Sequence, residues 1–187
     1  MCGPTGTGVL YGRYELLEEI EPLNLGGSTV SNATFDNYKE LKPPYKFEAG
    51  LQDYANIIGL KEAVNYLKEI NIRKIEKYCK YLGKIIFDEL ESLIEDKIKV
   101  INTNKENINN IFNFYFKKNN NRLTSEFNDF LSKKNIAVRV GKHCVHAYYN
   151  KNNLPNSIRA SWYFYNNEEE IKIFCNALIE FIKKNNI

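Results

Sequence analysis

Apolar residues recur at three- and four-residue steps in two consecutive stretches. Ile57, Leu60, Val64 and Leu67 predict a helix over about 53–70. Ile72, Ile75, Cys79, Leu82, Ile86, Leu90 and Leu93 predict a second over about 72–94. Beyond residue 96 the period shortens and alternates. KIKVIN reads as a strand, followed by IFNFYF, in which Phe112, Phe114 and Phe116 share one face. A helix is expected over 122–134. In IAVRV the residues Ile136, Val138 and Val140 face one way and Arg139 the other. In SIRASWYFY, Ile158, Ala160, Trp162 and Phe164 oppose Arg159, Ser161 and Tyr163. Glu168 to Glu170 open a last helix at its positive end, and Lys183 and Lys184 close it at its negative end.

The first fifty residues carry less pattern. GVLYG at 8–12 reads as a short buried strand and RYELLEEI as a helical turn. Residues 22–50, with Gly26-Gly27 and Pro43-Pro44, read as irregular structure with short strands, the last being KFEAG. The pattern predicts an α/β (α+β) fold, with a mostly antiparallel sheet and covering helices from about residue 96 onward.

Composition narrows the classes. With 43% hydrophobic and 26% charged residues, the chain is that of an ordinary globular domain. No apolar run approaches the ~20 residues that span a bilayer, so no membrane partner is expected. The net charge of +3 is spread out, and the lysine pairs at 117–118, 133–134 and 183–184 sit at element ends, so no nucleic-acid surface is expected. Cys2, Cys79, Cys144 and Cys175 show no C-x-x-C and no disulfide spacing, which suggests a reducing compartment such as the cytoplasm or an organelle. Cys79 and Cys175 fall on apolar helix faces and read as core.

Candidate chemistry is concentrated in GKHCVHAYY, residues 141–149, which holds both histidines, His143 and His146, with Cys144 between them. A structural zinc site needs four ligands, usually two separated pairs, and no second pair exists; no metal is expected. A buried turn and a reactive thiol with nearby histidines both remain open on local features. Arg139 and Arg159 bracket the segment on the polar faces of their strands. GPTGTG at 3–8 lacks the Gly-Lys-Ser/Thr of a phosphate loop and reads as a strand-entry turn.

AVRVGKHC and RASWYFYN resemble the C-terminal catalytic region of Suf-type cysteine desulfurases, pyridoxal-phosphate enzymes of the class V aminotransferase fold. The matches are Ala137-Val138-Arg139, Gly141, His143-Cys144, Arg159-Ala160-Ser161 and Tyr165-Asn166. GPTGTGVLYG at 3–12, Gly26-Gly27 and KFEAG at 46–50 match in the same order. The resemblance implies that Cys144 is the catalytic cysteine, which takes a sulfur from substrate cysteine as a persulfide and releases alanine. It implies that Arg159 clamps the substrate carboxylate, with His143 and Arg139 lining the pocket. It also implies a dimer, in which Gly50 and Gln52 meet the cofactor phosphate of the neighbouring subunit, and a sulfur-acceptor protein downstream.

Two departures qualify the expectation. Relatives often carry Thr-Pro-Asn after Phe-Glu-Ala-Gly, where this chain has Leu51, Gln52 and Asp53. The family's Schiff-base lysine lies just before the motif with which this sequence opens. The expected whole is therefore a cysteine desulfurase in which 1–70 is the end of the large cofactor-binding domain and 71–187 the small domain. An N-terminal half would supply the lysine, and the chain alone would be inactive. A persulfide-carrier module and a selenocysteine lyase of the same fold are the alternatives.

Overall fold

The computed structural model describes residues 2–101, 103–118 and 120–187. The chain divides into two compact units, Met1–Ile70 and Asn71–Ile187.

In the first unit, α1 (Tyr14–Glu19) precedes a hairpin of β1 (Val30–Ala33) and β2 (Tyr38–Glu40), a 3-10 helix at Tyr45–Phe47, and α2 (Tyr54–Ile70). Lys46 is buried; its Nζ donates to the Glu18 carbonyl at 2.9 Å and lies 3.6 Å from the Glu40 carboxylate, tying the start of the unit to its middle. Two expectations fail here. GVLYG forms no strand, and Val9, Leu10 and Tyr11 are exposed. KFEAG is a 3-10 turn and bend rather than a strand. In neither place does a neighbouring strand supply the hydrogen bonds that an extended segment needs. The apolar stripe of α2 buries only Leu67 fully, and Ile57 is exposed.

The second unit is better consolidated. Its elements are α3 (Ile72–Glu89), β3 (Ile98–Val100), β4 (Ile111–Phe116), α4 (Asn120–Lys133), β5 (Arg139–Gly141), α5 (His146–Lys151), β6 (Ser157–Ser161) and α6 (Glu168–Lys184). The four strands form one antiparallel sheet in the order β3-β4-β6-β5. Asn71 caps α3 by accepting from the Arg73 and Lys74 amides, and Asn167 with Glu170 forms a capping box on α6. α3 ends four residues before Leu93 and Ile94, which close a turn against Leu90. The Ile136–Val140 segment pairs only from Arg139 onward, and the strand holding Arg159 stops at Ser161.

Strand alternation divides the sheet cleanly. Phe112, Phe114, Phe116, Ile98 and Ile158 are fully buried. Phe114 sits opposite Ile158, and Phe116 opposite Ile98. Against this face, Phe127 of α4 and Phe181 of α6 meet at 4.9 Å between ring centroids, and each lies 5.8 Å from Phe116. Clusters of this kind add about 0.5–1.5 kcal/mol per aromatic pair beyond area burial. Cys79 and Cys175 are buried in this core, and burial pushes the Cys175 thiol up to about 12. Trp162 is anchored by its indole N–H on the Cys79 carbonyl at 2.9 Å.

Gly83 of α3 lies against that anchor. A Cβ there would come within 2.4 Å of Ile108 Cγ2 and 2.8 Å of Trp162 Cζ2. Helix propensity favours alanine by about 1 kcal/mol, while overpacking costs about 1–3 kcal/mol. Because the indole is pinned, the steric cost should win. Gly83→Ala is expected to lower unfolding free energy by up to about 2 kcal/mol in urea titrations, despite improving the helix.

Candidate active site

On the other face of the same sheet, the residues between the core phenylalanines and isoleucine are polar. Asn113 lies opposite Arg159, Arg159 opposite Arg139, and Gly141 opposite Ser157. Directly paired residues project from the same side of a sheet, so Asn113, Arg159 and Arg139 form a row across three strands. Like charges directly opposite one another are unfavourable. Among the described residues, neither guanidinium forms an ion pair with a carboxylate, and the Arg159 Nε is buried without a partner. Two unneutralised guanidiniums side by side are suited to an anion brought from outside.

β5 leads straight into the turn that carries the thiol. Gly141 has φ +119°, and His143 and Cys144 follow at +51° and +63°, a left-handed pair of non-glycine residues. Such conformations cost of order 1–3 kcal/mol each and persist where surrounding structure imposes them. The turn is closed by the Val145 amide on the Lys142 carbonyl at 2.9 Å. Cys144 is exposed, and the Arg139 Nη2 donates to its Sγ at 3.1 Å. The sulfur is thus held by a charged N–H donor while remaining open to solvent.

His143 is half-buried. Its Nε2 lies 2.9 Å from the Ser157 hydroxyl, and its Nδ1 is buried without a partner. Burial, with the positive charges of Arg159 and then Arg139, holds its pKa below the ordinary 6.5. Ser157, in turn, contacts the Tyr149 hydroxyl at 2.6 Å and donates to Asn113 Oδ1 at 2.7 Å. His146 opens α5 and is exposed.

Cys144, His143, Arg139 and Arg159, singled out from the sequence, are thus brought together on one sheet face and its adjoining turn. Arg139 is engaged with the sulfur rather than left free for a carboxylate. Asn113, Tyr149 and Ser157 were not anticipated. Alternation with Phe112 and Phe114 would have put Asn113 on this face, whereas nothing local predicts the burial of Tyr149. Among the described residues there is no group of three or more His, Cys, Asp or Glu able to hold a metal, and no helix is long and apolar enough to cross a membrane.

The other expected contacts lie in the first unit. Gly50 adopts φ +85°, and its amide donates to the Gly27 carbonyl at 2.8 Å, so it is not available to a phosphate. Leu51 offers no side-chain donor. The Asp53 carboxylate occupies the first turn of α2, accepting from the Asn56 amide at 3.2 Å. The Gln52 carboxamide makes no hydrogen bond among the described residues and is partly exposed. This segment fits a phosphate through Gln52 alone.

Residues 1–174 match the aminotransferase class-V family. The chain belongs to that family. Among its class-V relatives, a probable cysteine desulfurase of Halobacterium salinarum is 33% identical over 96% of this chain and 42% of its own length. The apo structure of a cysteine desulfurase from Thermococcus onnurineus NA1 superposes with a TM-score of 0.85 at 30% identity, over 97% of this chain and 44% of the other. A cysteine desulfurase from Escherichia coli gives 0.84 at 28% identity, over 97% and 43%. The chain spans about two fifths of the length of the relatives it matches, and its fold is that of the matching part of a cysteine-desulfurase-like, class-V protein.

One outcome is expected at this site. For His143, the folded pKa lies below the unfolded value, so its contribution to stability is whole above about pH 6.5 and is lost as pH falls through the folded value. Urea unfolding at pH 7.5 and 5.5 should show a smaller acid-induced loss in His143→Gln than in the wild type.

Proposed function

We propose that this protein provides the sulfur-accepting cysteine and the substrate-carboxylate site of a cysteine desulfurase. What carries the reading is the exposed Cys144 thiol under the Arg139 guanidinium, on a turn entered directly from the strand that faces Arg159. In this reading the Cys144 thiolate attacks the sulfur of substrate cysteine. A sulfur–sulfur bond forms as the substrate's carbon–sulfur bond breaks, the electron pair leaves with carbon, and protonation there gives alanine. Cys144 is left as a persulfide for delivery to an acceptor protein, for iron–sulfur clusters or another sulfur-requiring product.

The chain's own groups divide the work. Arg139 holds the nucleophile's sulfur through its guanidinium N–H. Arg159, with its unpartnered Nε, receives the carboxylate and thereby fixes the distance between the two sulfurs. Uncharged His143 leaves the positive potential of the two guanidiniums to the anionic substrate. Pyridoxal phosphate, when bound, supplies the electron sink for the departing pair, and Gln52 would meet its phosphate, across a dimer. The lysine that anchors the cofactor is assigned to a segment outside these 187 residues, either joined to them or on a partner polypeptide.

The test is alanine release from cysteine and pyridoxal phosphate, with and without the N-terminal half of a relative. Alanine is expected only with both parts. Cys144→Ser should abolish it, and Arg159→Leu should raise KM for cysteine roughly 10–100-fold. Unimpaired alanine release by Cys144→Ser would sink the desulfurase reading. The exposure of Cys144 also suits a persulfide carrier; that second reading requires sulfur uptake on Cys144 from a persulfide donor with no alanine formed in either mixture.

A further inference from the structure

Behind the cysteine site lies a closed set of polar side chains drawn from three elements. Asn113 comes from β4, Tyr149 from α5 and Ser157 from β6. Tyr149 and Ser157 are buried, with 2% and 0% of their surface exposed. The Asn113 Nδ2 donates to the Tyr149 hydroxyl at 3.0 Å, and the Ser157 hydroxyl donates to Asn113 Oδ1 at 2.7 Å. Tyr149 and Ser157 hydroxyl oxygens are 2.6 Å apart, and His143 Nε2 is 2.9 Å from Ser157.

Proton counting assigns the direction of every bond. A serine hydroxyl has one proton to give and can accept two. Ser157 gives its proton to Asn113, so it must accept from Tyr149 and from His143. Tyr149 gives to Ser157 and accepts from Asn113, which completes the ring. The imidazole therefore carries its proton on Nε2. The opposite tautomer would need Ser157 to donate to Nε2, and would leave a buried Nδ1–H with no acceptor; orphaned buried N–H groups are the rarer defect. A doubly protonated ring would add a third positive charge beside Arg139 and Arg159, the charged groups facing it from β5 and β6.

We propose that Asn113, Tyr149 and Ser157 are positioning residues that hold His143 as the neutral Nε2–H tautomer, with Nδ1 as its vacant basic nitrogen. The role at a cysteine site rests on the function proposed above, whereas the tautomer itself does not. The network thus orients the residue preceding the nucleophile and fixes its proton on Nε2, while burial and the guanidinium pair keep the ring uncharged. A histidine whose second nitrogen is bound by a fixed partner is held in both ring orientation and protonation site.

The chain contains two histidines, so nitrogen-15 NMR of the imidazoles reads this directly in the 187-residue chain, with His146→Gln assigning His143. At pH 7.5 the expected spectrum has a protonated Nε2, protected from solvent exchange, and an unprotonated Nδ1. Ser157→Ala should speed exchange of the Nε2 proton by about tenfold or more, and Ser157→Thr should restore protection. Tyr149→Phe should loosen the ring without deleting the serine, giving an intermediate exchange rate, and stands in if Ser157→Ala does not fold. A proton on Nδ1 in the wild type, or Nε2 exchange unchanged in a folded Ser157→Ala or Tyr149→Phe variant, overturns the proposal. Neither readout involves cysteine turnover, so failure of the desulfurase function would leave this result standing, and the reverse.

Discussion

The antiparallel register of β4, β6 and β5 is the constraint on which the site depends. Side chains alternate strictly across a strand, so the pairing that sets Phe114 against Ile158 in the core also sets Asn113 against Arg159 and Arg159 against Arg139 on the far side. A slip of one residue would drive two guanidiniums toward Phe127 and Phe181 and expose the phenylalanines. The packed aromatic face therefore does more than stabilise the unit. It holds two positive charges in opposition that would otherwise separate.

The polar face carries several local costs together. Two like charges pair across strands, two consecutive non-glycine residues are left-handed, and the nitrogens His143 Nδ1 and Arg159 Nε are buried without partners. Each is unfavourable in isolation, and together they lie around one exposed thiol. Such concentration of strain and unmet bonding is expected where a chain is shaped for something it does not itself contain. An anion brought to this face would answer the guanidiniums.

The two units differ in how far they satisfy themselves. The second has a continuous core from Ile75 through Ile182. The first leaves Val9, Leu10, Tyr11 and Leu51 exposed, and its helix α1 buries no residue. Its expected strands did not form because strand structure needs a neighbour's backbone groups, and the unit offers only the short β1–β2 hairpin. The same shortage bears on the cofactor. Gly50 is committed to Gly27 and Asp53 to its own helix, so the segment brings only Gln52 to a phosphate.

Much of this was legible in the order of residues. Periods of 3.6 and 2 located α2, α3, β4 and β6, because one-sided burial leaves a direct trace in hydrophobic spacing, and the charges at its two ends marked α6. The motifs around Cys144 and Arg159 marked the chemistry, because nucleophile and clamp are specific residue types at short range. Helix ends and the lengths of β5 and β6 were less visible, being set by caps and by available strand partners. The bond from Arg139 to sulfur, the charge state of His143 and the ring of Asn113, Tyr149 and Ser157 could not be read from the sequence. The bonds of Asn113 to Tyr149 and Ser157 join residues 36 and 44 positions apart, and only the folded sheet decides which polar side chains lose water together and must bond to one another.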